Sequence, residues 1–93
     1  MVVALLRIEL HIPGAQSLKD KRMVTRRLKD RLKPFNVGVA ETDHQDLWQR
    51  ADPGVVTVAT DDRHAEQILQ SVIDEIERLE PRVMTRPEVE FLR

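Results

Sequence analysis

The sequence predicts an α+β fold in which two helices cover one face of a four-stranded antiparallel sheet. Three observations support it: an alternating pattern at the start of the chain, two amphipathic helical patterns, and strand-forming segments around them. The order of elements is β-α-β-β-α-β, which is typical of the ferredoxin-like two-layer sandwich. Two right-handed crossovers place strands one and three in the centre of the sheet. A length of 93 residues suits a single domain over 1–93.

The first strand is predicted in the residues up to Ile12, where apolar and polar side chains alternate with a period of two. This segment contains charged residues and has no basic n-region, so it does not resemble a secretory signal. No apolar run approaches the ~20 residues of a membrane-spanning helix. We therefore expect a cytoplasmic protein without a membrane partner. One side of the strand carries Leu6, Ile8, Leu10 and Ile12, and the other carries Leu5, Arg7, Glu9 and His11.

The first helix is predicted to begin at Ser17, which lies three residues before Asp20 in a spacing like that of a capping box. It should end near Lys33, because Pro34 cannot continue a helix interior. Its apolar side chains fall within about 120° of the helical wheel and should face the core. This core stripe consists of Leu18, Val24, Leu28 and Leu32, with Thr25 and the stem of Lys21 inside it.

Three further strands are predicted after this helix. Residues 35–42 alternate in polarity and residues 55–60 are rich in β-branched side chains, which indicates strands two and three. Between them lie a polar segment and a turn at residues 52–54, where proline and glycine follow one another. Residues 82–92 form the fourth strand, and Pro87 assigns it to a sheet edge.

The second helix is predicted over residues 62–80, with Asp61 or Asp62 as its cap and Pro81 as its stop. Its apolar side chains lie within roughly 140° of the helical wheel, the clearest amphipathic pattern in the chain. They should pack on the same face of the sheet as the first helix. The face comprises Ala65, Ile68, Leu69, Val72, Ile73, Ile76 and Leu79.

Three stretches, SLKDKR at 17–22, FNVGVAE at 35–41 and DLWQRA at 46–51, together resemble the signature of the YlxP-like family, short bacterial proteins of unknown function. The resemblance covers nearly the whole chain. It implies a ferredoxin-like fold and a context in translation, because genes of the family often lie among those for translation and ribosome maturation. It implies no activity and no catalytic residue. One departure is Gly38, where relatives usually have serine.

The first helix also carries a concentration of positive charge. Residues 17–33 hold eight basic and two acidic residues, whereas the rest of the chain holds seven basic and fourteen acidic ones. Five cations fall within about 80° of one another on the wheel, beside the core stripe and with no acidic residue among them. Such a ridge suits a phosphate backbone, which makes RNA or the ribosome the expected partner. These candidate nucleic-acid-binding residues are Lys19, Arg22, Arg26, Lys29 and Lys33.

Two other interpretations remain open at this point. The basic residues can form a solvated helix face, paired in part with the acidic second helix. Alternatively, the protein is an assembly module, since Trp48 either fills the core at a hairpin end or anchors an interface. The uncovered sheet face is expected to be partly apolar, which favours a homodimer. The candidate interface residues are Leu5, Trp48 and Val55, with Thr57 and Ala59 on the same face.

Catalysis and cofactor binding find little support in the sequence. Without cysteine, disulfides, cysteine-ligated metals and thiol nucleophiles are excluded. ETDHQD at 41–46 offers ligands for a divalent cation, but no known metal-binding spacing is present and acidic residues are common at hairpin ends. No serine or threonine has a visible base and orienting partner. We therefore expect no enzyme, no catalytic residue, no metal and no cofactor; the abundance of charge favours a heat-adapted source.

Overall fold

The computed structural model describes residues 1–12, 14–42, 49–79 and 84–92, with side chains from residue 87 onward in the last range. In this part of the chain two helices accompany an antiparallel sheet of five strands, an α+β arrangement consistent with the predicted ferredoxin-like sandwich. The strands are β1 (Val2–His11), β2 (Gly38–Glu41), β3 (Arg50–Ala51), β4 (Pro53–Ala59) and β5 (Met84–Leu92). The helices are α1 (Leu18–Leu32) and α2 (Asp62–Leu79), and a 3-10 turn, Lys33–Phe35, follows α1.

The strands are arranged with β1 and β4 in the centre, β2 beside β4, and β5 on the far side of β1. Leu10 of β1 pairs with Ala51 of β3 and with Met84 of β5, so β3 and β5 flank β1 on opposite sides. The short strand β3 therefore lies on the β4 side of β1. The first and third predicted strands correspond to β1 and β4 and are central, and the second and fourth correspond to β2 and β5 and flank them, as the crossovers predicted.

The prediction of a turn at residues 52–54 is wrong. Pro53 and Gly54 belong to β4 and lie opposite Glu41 and Ala40 of β2. Proline is tolerated as the first residue of a strand, where its missing N–H costs no ladder hydrogen bond. Asp52 separates β3 from β4, which gives five strands in the described chain where four were predicted.

Both helices begin where the capping residues predicted. The Ser17 hydroxyl oxygen accepts a hydrogen bond from the Asp20 backbone N–H at 3.1 Å, and the Asp20 carboxylate accepts one from the Gln16 N–H at 3.0 Å. Asp61 caps α2 by accepting from the His64 N–H at 2.8 Å. The bonds to Ser17 and Asp61 satisfy donors of the first turn that have no partner within the helix.

The chain reverses between α1 and β2 through the 3-10 turn and Asn36. Asn36 has φ 57°, in the left-handed region that asparagine tolerates better than most residues. Strand β2 consequently begins at Gly38, so the second strand is shorter than the predicted span of 35–42.

The core lies between the helices and the inner face of the sheet. The predicted inward side of β1 is buried, as are most apolar residues of α2, with Ile68 and Leu79 partly buried. No helix in the described ranges is long and apolar enough to cross a membrane. The innermost side chains include Leu6, Leu10, Leu32, Leu69, Val72 and Ile76.

One expectation about β4 is reversed. Val55, Thr57 and Ala59 were expected on the uncovered face, but their exposed fractions are 0%, 1% and 8% and they face the helices. The Thr57 hydroxyl is satisfied there, because it donates to the Asn36 carbonyl at 3.3 Å. The uncovered face of β4 instead carries Val56 and Val58, since side chains alternate along a strand.

Candidate nucleic-acid interface

The five predicted cations all lie on the surface of α1 and the turn that follows it. The burial of α1 is centred on Lys21, Leu28 and Leu32, so the predicted rotation of the helix is confirmed. Successive cations are three or four residues apart, about 4.5–6 Å along the axis, and the row extends for about 21 Å. We call this row the cation ridge: Lys19, Arg22, Arg26, Lys29 and Lys33, all of them exposed.

A small cleft shows which side of α1 carries the ridge. Thr25 and Lys29 of α1 line it together with Val39 and Glu41 of β2. Its volume of about 30 Å³ has room for about one water molecule, so it is too small for an organic ligand. The cation ridge therefore runs along the side of α1 that faces the β2 edge of the sheet.

One end of the ridge has an acidic neighbour, Asp30, which lies just outside the sector of the helical wheel that the five cations occupy. The Lys33 ammonium lies 3.3 Å from the Asp30 carboxylate, with both side chains mostly exposed. An exposed pair at this spacing contributes little, typically under about 1 kcal/mol. In the acidic α2, Arg78 pairs with Glu75 of the same helix. Both ion pairs join residues three apart in the sequence, so neither of them connects α1 with α2.

Sequence reasoning predicted the position of Lys21 only in part. Its stem was expected in the core stripe, but the whole side chain is buried, with 2% of its surface exposed. Its ammonium lies 2.5 Å from the Glu41 carboxylate, which is itself only 24% exposed. A signal for this pair existed in the sequence. Lys21 falls at the centre of the α1 stripe, and Glu41 shares the inward parity of Val37 and Val39.

A second group of charges occupies the end of the uncovered sheet face. Arg50 of β3 lies 2.5 Å from the Glu9 carboxylate and 3.1 Å from that of Asp52. On the same face, Arg7 pairs with Glu90 at 3.3 Å. No sequence pattern indicated the Arg50 cluster, because residues 43–50 had no predicted secondary structure.

The three candidate interface residues were all predicted to be available for an interface, and the structure supports this position for one of them. Leu5 is half-buried on the uncovered face, as expected. Val55 is fully buried in the core, so its placement on that face is wrong. Trp48 lies outside the described residues. The exposed apolar side chains of the uncovered face are instead Val56, Val58 and Leu92, at 38%, 52% and 48% exposure.

The possible cation-binding segment at 41–46 is described only at its start. Residues 43–48 lie outside the described part of the chain, and the Glu41 carboxylate is engaged by Lys21. Elsewhere in the described ranges, no group of three or more His, Asp or Glu side chains is placed to hold a metal ion.

Comparison with known proteins gives a family and a fold. The family described as "Protein of unknown function (DUF503)" matches residues 3–88. A Bacillus subtilis (strain 168) protein described as "Uncharacterized protein YlxP" is 39% identical over 84 residues, which is 86% of this chain and 90% of the relative. The solved structure of "De novo designed protein Foldit4" has a TM-score of 0.61 at 18% identity, over 99% of this chain and 96% of that one. At that identity, the similarity shows the fold alone.

Proposed function

Since this chain belongs to the DUF503 family of proteins of unknown function, we propose a function from its own surface: it is a non-enzymatic module that binds the phosphate backbone of RNA, free or in the ribosome, through the cation ridge. The resemblance to YlxP-like proteins supports this proposal, because it implies a context in translation.

The observation that carries the proposal is the placement of the cation ridge. All five of its side chains are exposed, and Lys29 among them lines a cleft with residues of β2. A row of cations of this kind gains affinity by releasing counterions from the phosphate backbone, which is a sequence-independent contribution. The acidic residues concentrated in α2 would repel the same backbone, so RNA should approach from the β2 side.

The uncovered sheet face supports recognition by charge and shape. Proteins that read single-stranded bases on a sheet stack them on aromatic rings. Phe35 and Phe91, the two phenylalanines, both pack against the core. The described part of this face instead presents aliphatic side chains, the imidazole of His11 and the ion pairs Arg7–Glu90 and Arg50–Glu9. RNA should therefore contact α1 and not the sheet.

Charge reversal on the ridge tests the function. The triple variant Arg22→Glu, Arg26→Glu, Lys29→Glu should remain folded and should lose sedimentation with ribosomal particles at low salt. The matched control is Arg7→Glu, Arg63→Glu, Arg78→Glu, which changes the net charge equally but away from α1. We expect the control to sediment like the wild type. A wild-type protein that never co-sediments, or that binds independently of salt, would exclude the proposed function.

A second candidate function is protein–protein assembly through the uncovered sheet face. It is favoured by the exposed Val56, Val58 and Leu92, which lie beside the half-buried Leu5. Light scattering distinguishes the two functions. A dimer that withstands the ridge reversal but dissociates with Leu5→Glu, Val58→Glu or Trp48→Ala would favour assembly.

A further inference from the structure

A buried ion pair joins α1 to the edge of the sheet, and we propose that it fixes the axial position of α1 on the sheet, so that the whole cation ridge stays exposed beside β2. The pair consists of Lys21 and Glu41, and we call it the register pair. Its consequence for RNA binding rests on the function proposed above, whereas the fixing of α1 can be measured without any ligand.

The register pair connects two segments that are distant in the sequence. Lys21 belongs to the first turns of α1, and Glu41 is the last residue of β2. The two charged atoms are 2.5 Å apart, and the Glu41 oxygen that faces Lys21 is buried. Lys21 is among the largest fully buried side chains in the described chain. The contact is therefore part of the interior and is poorly screened by salt.

Stability alone does not account for a charged pair at this place. Removing an ammonium and a carboxylate from water has a large desolvation cost, and well-packed apolar residues of similar volume are often as stable or more stable. A methionine at position 21 would fill the same space as the lysine stem without that cost. The best-attested use of such buried polar groups is to select one register among several.

The apolar stripe of α1 does not select a register strongly by itself. Leu28 and Leu32 are one turn apart and alike, so a shift of α1 by one turn keeps leucine against the sheet. The same shift would bring Thr25 opposite Glu41 and separate the two charges. A hydroxyl cannot neutralise a buried carboxylate, so the register pair penalises the shifted state.

The register pair lies close to the cation ridge. Lys29 of the ridge lines the same small cleft as Glu41. Glu41 therefore belongs to the register pair and also lies next to the ridge. If α1 were free to slide along the sheet, the ridge cations would no longer hold one fixed position for contact with a phosphate backbone. Fewer of them would engage at once, which would reduce both the affinity and the number of counterions released.

A charge-neutral double variant tests the proposal. Lys21→Met with Glu41→Gln removes both charges, keeps the side-chain sizes similar and leaves the net charge unchanged. The matched control is Arg7→Gln with Glu90→Gln, which removes an exposed ion pair on the uncovered face. Three quantities are measured for each protein: the denaturant midpoint, the amide exchange of α1 followed by NMR, and the salt dependence of binding to a short mixed-sequence RNA duplex.

We expect the register variant to be at least as stable as the wild type, with α1 amides that exchange about tenfold faster or more while those of β1 and β4 do not. Its RNA affinity should fall about fivefold with a shallower salt dependence. The control should change none of these.

Wild-type protection of α1 in the register variant would overturn the proposal, and so would loss of folding, since that would assign the pair to stability. If the wild type binds no RNA, the proposed function fails and the exchange data alone decide on the register pair.

Discussion

Leu28 and Arg26 lie two residues apart on α1 but on opposite sides of its burial boundary. Leu28 is 3% exposed and packs in the core, whereas Arg26 is exposed on the cation ridge. The apolar periodicity of the segment was enough to predict this difference, because a helix with one buried face has a single orientation that covers its leucines. The functional proposal depends on that orientation.

We predict that Leu28→Ala lowers the free energy of unfolding by about 2–5 kcal/mol, through lost burial and the cavity that remains. Ile76→Ala in α2 should have a similar cost, since Ile76 is 1% exposed. Arg26→Ala should stay within about 0.5 kcal/mol of the wild type. Denaturant midpoints compare the three variants. A large loss at Arg26 together with tolerance at Leu28 would contradict the rotation of α1.

The sequence did not show which side chains of β4 face the helices. Val55 and Val56 are chemically identical, so hydropathy cannot tell which of them faces the helices. The inward parity includes Thr57, whose hydroxyl bonds to the Asn36 carbonyl from a distant part of the chain. A partner twenty-one residues away in sequence is not visible in a local pattern. The exposed face was therefore assigned to the wrong side of this strand.

At the scale of elements, the helices were predicted within about one residue because their ends carry local signals. Ser17 and Asp61 supply caps, and Pro34 stops the first helix. The connection from β2 to β4 carried a misleading local signal, because proline followed by glycine is typical of a turn. Its described residues are joined by Thr42, whose N–H and hydroxyl both donate to the Asp52 carbonyl at 2.8 Å. This long-range contact makes Pro53 and Gly54 part of a strand instead of a turn.

Two glycines of the paired strands β2 and β4 should respond oppositely to alanine. A Cβ at Gly38 would lie 3.2 Å from a methyl of the exposed Val56, which has room to move. A Cβ at Gly54 would lie 2.9 Å from the Thr42 methyl, and Thr42 is held by its two bonds to Asp52. Gly38→Ala should raise the free energy of unfolding by about 0.4–1 kcal/mol, since it restricts the unfolded chain. Gly54→Ala should lower it by about 1–3 kcal/mol through overpacking.

Thermal or denaturant unfolding of the two glycine variants decides this prediction. If Gly54→Ala is tolerated while Gly38→Ala is strongly destabilising, the register between β2 and β4 differs from the one described.

At the scale of the whole molecule, a near-neutral total conceals a strong separation of charge. The formal net charge is −1, yet residues 17–33 carry a surplus of six positive charges. The fold exposes five of these cations along α1 and the turn that follows it, while Arg7 and Arg50 on the uncovered sheet face are paired with acidic side chains. Such a distribution orients an approaching polyanion toward α1 and away from the rest of the surface.

The charge asymmetry was visible in the sequence, but its geometry was not. The helical wheel predicted that five cations share one side of α1. Only the fold shows that this side adjoins β2, with Lys29 and Glu41 lining one cleft. The Lys33–Asp30 pair at the end of the ridge also depends on side-chain positions that a wheel does not contain.

The salt dependence of RNA binding tests the central claim most directly. The affinity of the wild type, of the Arg22, Arg26 and Lys29 reversal, and of the Arg7, Arg63 and Arg78 reversal is measured for one RNA duplex over a series of salt concentrations. With three to five phosphate contacts, log K for the wild type should fall against log salt with a slope of about −3 to −4.5. The ridge reversal should abolish binding, and the control should keep the wild-type slope. A flat salt dependence, or an equal loss of affinity in the control, would contradict the assignment of α1 as an RNA-binding surface.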